Sequence, residues 1–404
     1  MRIGLLTTYL ALGDDNDSGI GQHYRILADT LASAGHQVHV VYATLNPVQA
    51  VASLAKLAPS WTYEIVSCHP PAWIMKLFHS SWPTQLLLIH LWNAWAVDQG
   101  LARACVRLRL EIVETHAYNA PALCFLHRRS RPPVLTRVST TLGQMNAISP
   151  LRSRVLSVGA AIERHVIRQS DAVVTHTQQH RDAICAQDGY PTRSFSIVAH
   201  GLPVPTIEQI ANSNSEDGPI EFLFVGRFEP RKGIDTLLAA IPTVAKALPQ
   251  TTFTLIGSHG DDNTWREFTV KHPELIGSRV HAPGRVSAAS LSAHYRRCQI
   301  LVAPSRYESF GLIYAEAMSY GKPVIGCAAG GVPEVVTDGV TGFLTTPGNV
   351  DELAASMIRL ATDTPLRQRM GQAARKDFIS RFSAKQMAEA SVLLYRKMST
   401  TTVI

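Results

Sequence analysis

Cysteine is scarce and scattered in this chain: Cys68, Cys105, Cys124, Cys185, Cys298 and Cys327 include no C-x-x-C spacing. That argues against a zinc ribbon and a disulfide framework, and it makes a reducing cytosol the expected compartment. Long apolar runs are missing as well. The longest strongly apolar stretch, residues 86–97, is interrupted by His90 and Asn93, and it falls short of the roughly 20 residues that span a bilayer. The N-terminus has one early cation and an apolar run from Gly4 to Gly13 without a small-residue cleavage site, so it reads as a first strand and not as a signal peptide. No stretch repeats at solenoid period, no tract is of low complexity, and no nucleic-acid-binding motif is present.

Apolar residues make up 46% of the chain and charged residues 17%, the balance of a soluble globular protein that buries large cores. Its 404 residues exceed what one hydrophobic core usually supports, which implies two domains and a cleft. The formal charge of +7 points to an anionic partner such as a nucleotide diphosphate or an acidic lipid surface. Nucleic acid would suit the charge equally, but the lack of a binding motif argues against it.

Hydrophobic periodicity opens with a strand at residues 2–7, a glycine-containing loop, a helix at 21–34 closed by Gly35, and a strand at 37–41. Together they make one βαβ unit. Short apolar or β-branched runs at 111–115, 133–138, 172–175 and 196–199 then alternate with helical patterns such as 152–169 and 178–186, which predicts a parallel sheet covered by helices on both faces. The polar, turn-rich segment 201–219, with Pro203, Pro205, Asn212, Asn214 and Gly218, predicts a linker between a domain at 1–200 and a second at 220–383. In the second, strands at 221–225, 252–256, 279–281, 300–303 and 323–326 each precede a helix-compatible stretch. The tail 384–404 carries an amphipathic helix at 384–398, a candidate for packing back on the first domain. The predicted fold class is α/β, with two doubly wound Rossmann-like domains facing each other across a cleft.

The stretch Pro304-Ser-Arg-Tyr-Glu308-Ser-Phe310-Gly311-Leu312-Ile313-Tyr-Ala-Glu316 carries the chemistry. It follows the apolar run 300–303, so Glu308 is predicted on a loop at a strand's carboxyl end, with Phe310, Gly311 and Leu312 opening the next helix. Helix-start N–H groups and the helix dipole attract phosphate there. Glu316 lies eight residues after Glu308, roughly two turns at about 3.6 residues each, so the carboxylates are expected on one face at different depths, within reach of one ligand. Vicinal hydroxyls of a ribose or hexose suit a carboxylate that accepts two hydrogen bonds. Arg227 and Lys232 follow another strand and bracket a turn, which suits a pyrophosphate leaving group whose charge grows as its bond breaks.

This E-x7-E block resembles the signature of the large retaining glycosyltransferase family 4, whose fold is called GT-B. The segment from Val225 through Arg227 to Lys232 and Gly233 resembles that family's diphosphate-binding turn, and the run from Gly330 and Gly331 to Gly342 resembles its closing glycine-rich segment. The likeness covers residues 221–344 and is fainter in the first half. By this resemblance Glu316 holds the ribose and Glu308 the donor sugar, while backbone N–H groups from Phe310 through Gly311 and Leu312 to Ile313 hold sugar hydroxyls and phosphate. Gly284-Arg285-Val286 resembles the nucleobase loop, where backbone groups at Val286 read the base edge. Ser18-Gly19-Ile20-Gly21 resembles the N-terminal glycine loop that closes on the donor phosphate. His116, at the end of an apolar strand, matches the position where the family keeps a histidine facing the donor sugar, to orient it and help stabilise an oxocarbenium-like centre.

Asp15-Asn16-Asp17 has the D-x-D form by which metal-dependent glycosyltransferases hold Mn²⁺ or Mg²⁺. A solvated polar loop is the simpler reading, because Arg227 and Lys232 leave a metal little to do. No metal and no other cofactor is therefore expected, the nucleotide-sugar being a substrate.

Trp61, Trp73, Trp82, Trp92 and Trp95 fall within residues 61–95 together with Pro70, Pro71 and Pro83, a window that reads as no standard sheet segment. Its aromatics suit stacking on an acceptor sugar, rest at a membrane interface, or burial in the first domain's core. Residues 101–169 then hold Arg103, Arg107, Arg109, Arg128, Arg129, Arg131, Arg137, Arg152, Arg154, Arg164 and Arg168 against Glu111, Glu114 and Glu163. That excess suits an anionic acceptor or peripheral contact with an acidic membrane. The resulting expectation is a cytoplasmic, retaining, metal-independent glycosyltransferase that moves a hexose or related sugar from a nucleotide-diphosphate sugar to a sugar, lipid-linked or small-metabolite acceptor. The alternatives are a GT-B-fold nucleotide-sugar epimerase, which consumes no acceptor, and a non-catalytic nucleotide-sugar-binding protein.

Overall fold

The strand β1 (Arg2–Thr7) buries every residue from Ile3 to Thr7, which only a strand covered on both faces can do. In the computed structural model, which describes residues 1–12, 19–70, 82–148, 154–210, 219–259 and 263–401, β1 lies inside a sheet whose strand pairs are all parallel. The other strands of that sheet are β2 (Gln37–Thr44), β3 (Thr62–Ser67), β4 (Ile112–His116), β5 (Val134–Arg137), β6 (Ala172–Thr175) and β7 (Phe195–Ile197). Their order is β3-β2-β1-β4-β5-β6-β7. The chain thus builds outward from β1 through β2 to β3, then returns to place β4 on the other side of β1.

The second sheet repeats the plan. It contains β8 (Glu221–Val225), β9 (Thr252–Ile256), β10 (Val280–Gly284), β11 (Ile300–Val302), β12 (Val324–Cys327) and β13 (Gly342–Thr345) in the order β10-β9-β8-β11-β12-β13. Here too every pair is parallel, and the order reverses between β8 and β11. The chain divides into two compact units, Met1–Gly201 with Ala384–Ile404, and Leu202–Ser383. Among the described residues no helix is long and apolar enough to cross a membrane.

The C-terminal helix Ala384–Thr401 belongs to the first unit, where Met387, Ala388, Val392 and Tyr395 share a core with Ile3, Leu5, Leu27 and Val40. Burial of a side chain such as Met387 or Val392 stabilises by about 1.5–3 kcal/mol. A polar latch adds direction: Tyr395 donates its hydroxyl hydrogen to Glu114, whose other oxygen receives Arg137 Nε at 2.7 Å. Burial pushes the Glu114 pKa up, but the neighbouring Arg137 guanidinium overcomes it and holds the carboxyl at about 2.

Three sequence expectations change. The window 61–95 contains β3, which pairs with β2 from His39↔Thr62 to Thr44↔Ser67, and the helix Trp82–Leu108. As an edge strand, β3 is exposed along much of its length, so it lacks the apolar run that marked its neighbours. β13 was hidden in the glycine-rich run for a similar reason: it has few β-branched residues to announce it. In the predicted linker, Leu202 donates its N–H to Phe382 O at 2.9 Å and forms a parallel bridge with Ser383. Residues 202–210 therefore join the second unit, while 211–218 lie outside the described residues.

The tryptophans divide. Trp61 is 4% exposed in the core and donates Nε1–H to Asp29 at 2.7 Å. Trp92 and Trp95 meet with ring centroids 4.9 Å apart, and Trp95 is 49% exposed. Trp73 and the side chain of Trp82 lie outside the described residues. Much of the arginine excess is neutralised in place, since Arg103 and Arg107 pair with Glu64, Arg128 with Asp98, Arg131 with Asp171, Arg137 with Glu114 and Arg164 with Asp188.

Candidate active site

Each sheet brings predicted residues to the carboxyl ends of the two strands where its order reverses, the position at which open α/β sheets bind ligands. In the second unit these strands are β8 and β11. After β8 the chain passes Arg227 and makes the short 3-10 turn Pro230–Lys232, ended by Gly233 at φ 69°. Only glycine fits there, because a Cβ on Gly233 would lie 1.9 Å from Pro304 O. This close approach seats the Lys232 turn on the loop that follows β11, and Arg306 N–H closes it by bonding Arg231 O at 2.8 Å.

Across that junction Lys232 Nζ donates to Glu308 Oε1 at 2.6 Å, and Ser305 Oγ donates to the same oxygen at 3.0 Å. Glu308 is 8% exposed. Arg231 Nη1 stands 3.7 Å from its other oxygen. Arg227, 67% exposed at its side chain, and Arg231 both pair with Glu229. Three cations thus face two carboxylates, which leaves the turn with a net positive charge for an anion. Arg306 braces the arrangement with a bidentate pair to Asp235 at 2.7 and 2.6 Å.

The Glu308 backbone is clamped from the other side by the glycine-rich run. Gly331 N–H donates to Glu308 O at 2.7 Å. Gly330, at φ 55°, approaches so closely that a Cβ would meet Glu308 O at 2.3 Å. The helix Leu312–Ser319 then starts after Gly311, which has φ 90°. This start corrects the expectation that Glu308 and Glu316 share one helical face: Glu308 precedes the helix, so helical periodicity does not govern it. The Phe310 side chain is buried against Phe382, with ring centroids 5.5 Å apart. What this helix start offers a ligand is therefore backbone, that of Phe310 and of Gly311, Leu312 and Ile313.

Glu316 is half-buried and its Oε2 accepts from Tyr295 OH at 2.5 Å. Burial pushes its pKa up, while the Tyr295 hydrogen bond and the Lys232 charge pull it down. Lys232 therefore acts on both carboxylates. The expected base-reading loop follows β10: Gly284 takes φ 80°, Arg285 is exposed and Val286 half-buried, and Ser287 caps the next helix by accepting from Ser290 N–H at 3.2 Å.

In the first unit the reversal lies between β1 and β4, and it brings Thr8 to His116. Thr8 N–H donates to His116 Nε2 at 3.2 Å, while Nδ1 lies 2.9 Å from Tyr118 O. This pairing selects the neutral tautomer with the proton on Nδ1. His116 is 2% exposed, and burial lowers its pKa to about 4. Gly21 is buried in the first turn of the helix Gly19–Ser33. The remainder of that loop, with Ser18 and the Asp15-Asn16-Asp17 triplet, lies outside the described residues. No group of three or more His, Cys, Asp and Glu placed to hold a metal occurs among the described residues.

Sequence reasoning passed over Arg231, Ser305, Tyr295 and Thr8. Arg231 stands inside the quoted turn and was in view. Ser305 likewise stands inside the quoted stretch, three residues before Glu308, whereas Tyr295 and Thr8 carry no signal along the chain, because their roles depend on which elements the fold places side by side.

Two family patterns match most of the chain. The one described as "Glycosyltransferase Family 4" covers residues 18–204 and the one described as "Glycosyl transferases group 1" covers 206–377. Among similar proteins, the glycogen synthase of Mycobacterium tuberculosis is 28% identical over 396 residues, spanning 93% of this chain and 90% of that protein. Among solved structures, sucrose-phosphate synthase from Thermosynechococcus elongatus aligns with a TM-score of 0.74 and 22% identity over 99% of both chains. Anabaena HepE in complex with UDP and glucose aligns with a TM-score of 0.69 and 19% identity over 98% of this chain and 100% of that one. With two parallel α/β units and this likeness to known GT-B structures, the chain has the GT-B fold and is a glycosyltransferase of family 4.

Proposed function

We propose that this glycosyltransferase is retaining and metal-independent, and that it moves a hexose or related sugar from a nucleotide-diphosphate sugar to a sugar, lipid-linked or small-metabolite acceptor. The observation that carries the reading is the Lys232–Glu308 contact at 2.6 Å, at the carboxyl ends of the strands where the sheet order reverses. A donor diphosphate arriving there offers Lys232 a stronger anionic partner, and Glu308 is then released to accept hydrogen bonds from sugar hydroxyls. Arg227 adds a second cation on the leaving group. Glu316 accepts from the ribose, Val286 and Arg285 border the base, and the family resemblance gives Gly21 and His116 their parts in the same reaction.

In the transfer the bond between the anomeric carbon and the phosphate oxygen breaks, and a bond to the acceptor oxygen forms on the same face. The acceptor's proton passes to the departing phosphate. Charge develops on that phosphate in the transition state, so Arg227, Lys232 and the helix-start N–H groups bind the transition state more tightly than the substrate. HepE was solved with UDP and glucose, which supports a uridine nucleotide as the first donor to try. Leu91 and Trp95, 43% and 49% exposed on successive turns of one helix, suit peripheral contact with a membrane interface; sedimentation with acidic and with neutral vesicles tests that point.

The central test is a panel of UDP-, GDP- and ADP-sugars read by hydrolysis and thermal stabilisation. One donor at 100 times its Kd is expected to stabilise the protein by about 2.7 kcal/mol. If none of the panel stabilises or turns over, the reading fails.

A further inference from the structure

His116 ends β4, and the chain beyond it makes a turn in which Asn119 (φ 59°) and Ala120 (φ 48°) both adopt the left-handed conformation. Residues other than glycine rarely do so, and consecutive pairs need holding. Ala120 N–H closes the turn on Ala117 O at 2.8 Å. The turn also lines a small cavity with His90, Leu142, Gly159 and Ile162. What grips it is a carboxylate that the transfer chemistry does not use. Glu163, on the helix Arg154–Gln169 and 1% exposed, accepts Asn119 N–H on Oε1 at 3.3 Å and Leu142 N–H on Oε2 at 2.7 Å.

We propose that Glu163 is a positioning residue whose carboxylate ties the strained Asn119–Ala120 turn to Leu142, gripping when ionised and loosening when protonated, and so sets the orientation of His116. The chemical reason lies in the acceptor inventory. An ionised carboxylate offers lone pairs on both oxygens, whereas the hydroxyl oxygen of the acid is a poor acceptor. Protonation falls on the oxygen with the longer bond, Oε1, and releases Asn119 first. Tyr118, next to the released residue, supplies the carbonyl that receives His116 Nδ1–H. A slackened turn therefore shifts the group that fixes the imidazole's tautomer.

The titration falls in a useful range. Burial raises the Glu163 pKa to about 7, against the pull of the Leu142 and Asn119 N–H groups. Of the charged groups that face it, Asp188 pushes it up and Arg164 pulls it down. The phenols of Tyr118 and Tyr190 are pushed above their ordinary value by burial and stay neutral across this range. The proposal rests on the transferase reading only where it gives His116 a part in transfer.

Amide exchange of residues 117–123, expressed as protection relative to the intrinsic rate, tests the clamp without any substrate. From about pH 5.5 to 8.5, wild-type protection is expected to rise on the order of tenfold through pH 7. Glu163→Gln, whose amide nitrogen cannot accept a hydrogen bond, is expected to show no step at pH 7, any loss below pH 6.5 that it shares with wild type belonging to the buried histidines of this unit. A wild-type profile without the step, or the same step in Glu163→Gln, overturns the proposal. Should that variant not fold, Ala120→Gly decides: it relieves the left-handed strain, so the step must shrink, and an undiminished step is a refutation. Nucleotide-sugar turnover on the same samples separates the two claims. A step without turnover rejects the transferase reading alone, and turnover without a step rejects the clamp alone.

Discussion

Lys232 Nζ and Glu308 Oε1 stand 2.6 Å apart although 76 residues separate them in the chain, so the site's main cation and its main carboxylate are each other's counter-ion before any donor arrives. Replacing Lys232 by Ala removes the phosphate partner and also leaves Glu308 buried without its cation. Turnover is expected to fall by 10² or more, about 2.7 kcal/mol of transition-state stabilisation. Arg227→Ala, at the exposed end of the turn, is expected to fall comparably. Steady-state rates near wild type in both variants would remove the leaving-group assignment.

Gly330→Ala probes the backbone clamp. Its Cβ would sit 2.3 Å from Glu308 O, so the loop must move or the left-handed residue must strain, at a cost on the order of 1–3 kcal/mol. The expected result is a lower melting temperature together with loss of donor-induced stabilisation. Retention of full donor stabilisation would show that the position of Glu308 does not depend on this contact.

Activity should persist in excess EDTA, because Arg227, Arg231, Lys232 and a helix start already supply positive potential to the leaving group. Inactivation by EDTA with recovery on adding Mn²⁺ would instead make Asp15 and Asp17 the place to look for ligands.

The first unit should be acid-labile. His23, His116 and His180 are held neutral at pKa values of about 4, and His176 and His200 are pushed well below the ordinary value, in each case chiefly by burial. A lowered histidine pKa means that the unfolded chain binds protons the folded one refuses. Their contribution is complete above the unfolded pKa of about 6.5, and each costs up to about 1.4 kcal/mol per pH unit below it until the folded pKa is reached. Denaturation midpoints are expected to fall steeply between pH 6.5 and about 4. A flat profile would mean that these rings stay solvated enough to protonate in place.

Much of this molecule was legible along the chain. Alternating apolar runs and helical periods announce two parallel sheets, because a strand covered on both faces must be apolar throughout and a crossover must be helical. The segment from Glu308 to Glu316 and the turn from Arg227 to Lys232 could be singled out because strand, loop, glycine and charge follow one another locally. β3 escaped because an edge strand has no such apolar run.

Tertiary structure alone decided the pairings. Sequence places Lys232 and Glu308 after two different strands, and only the neighbouring of β8 and β11 in the sheet makes them an ion pair. Only the neighbouring of β1 and β4 lets Thr8 occupy one nitrogen of His116. Glu163 looks like any helical carboxylate until packing buries it against Asn119 and Leu142. The physical reason is common to all three: periodicity and turn chemistry act over a few residues, whereas strand order and the loss of water around a charge are properties of the packed whole.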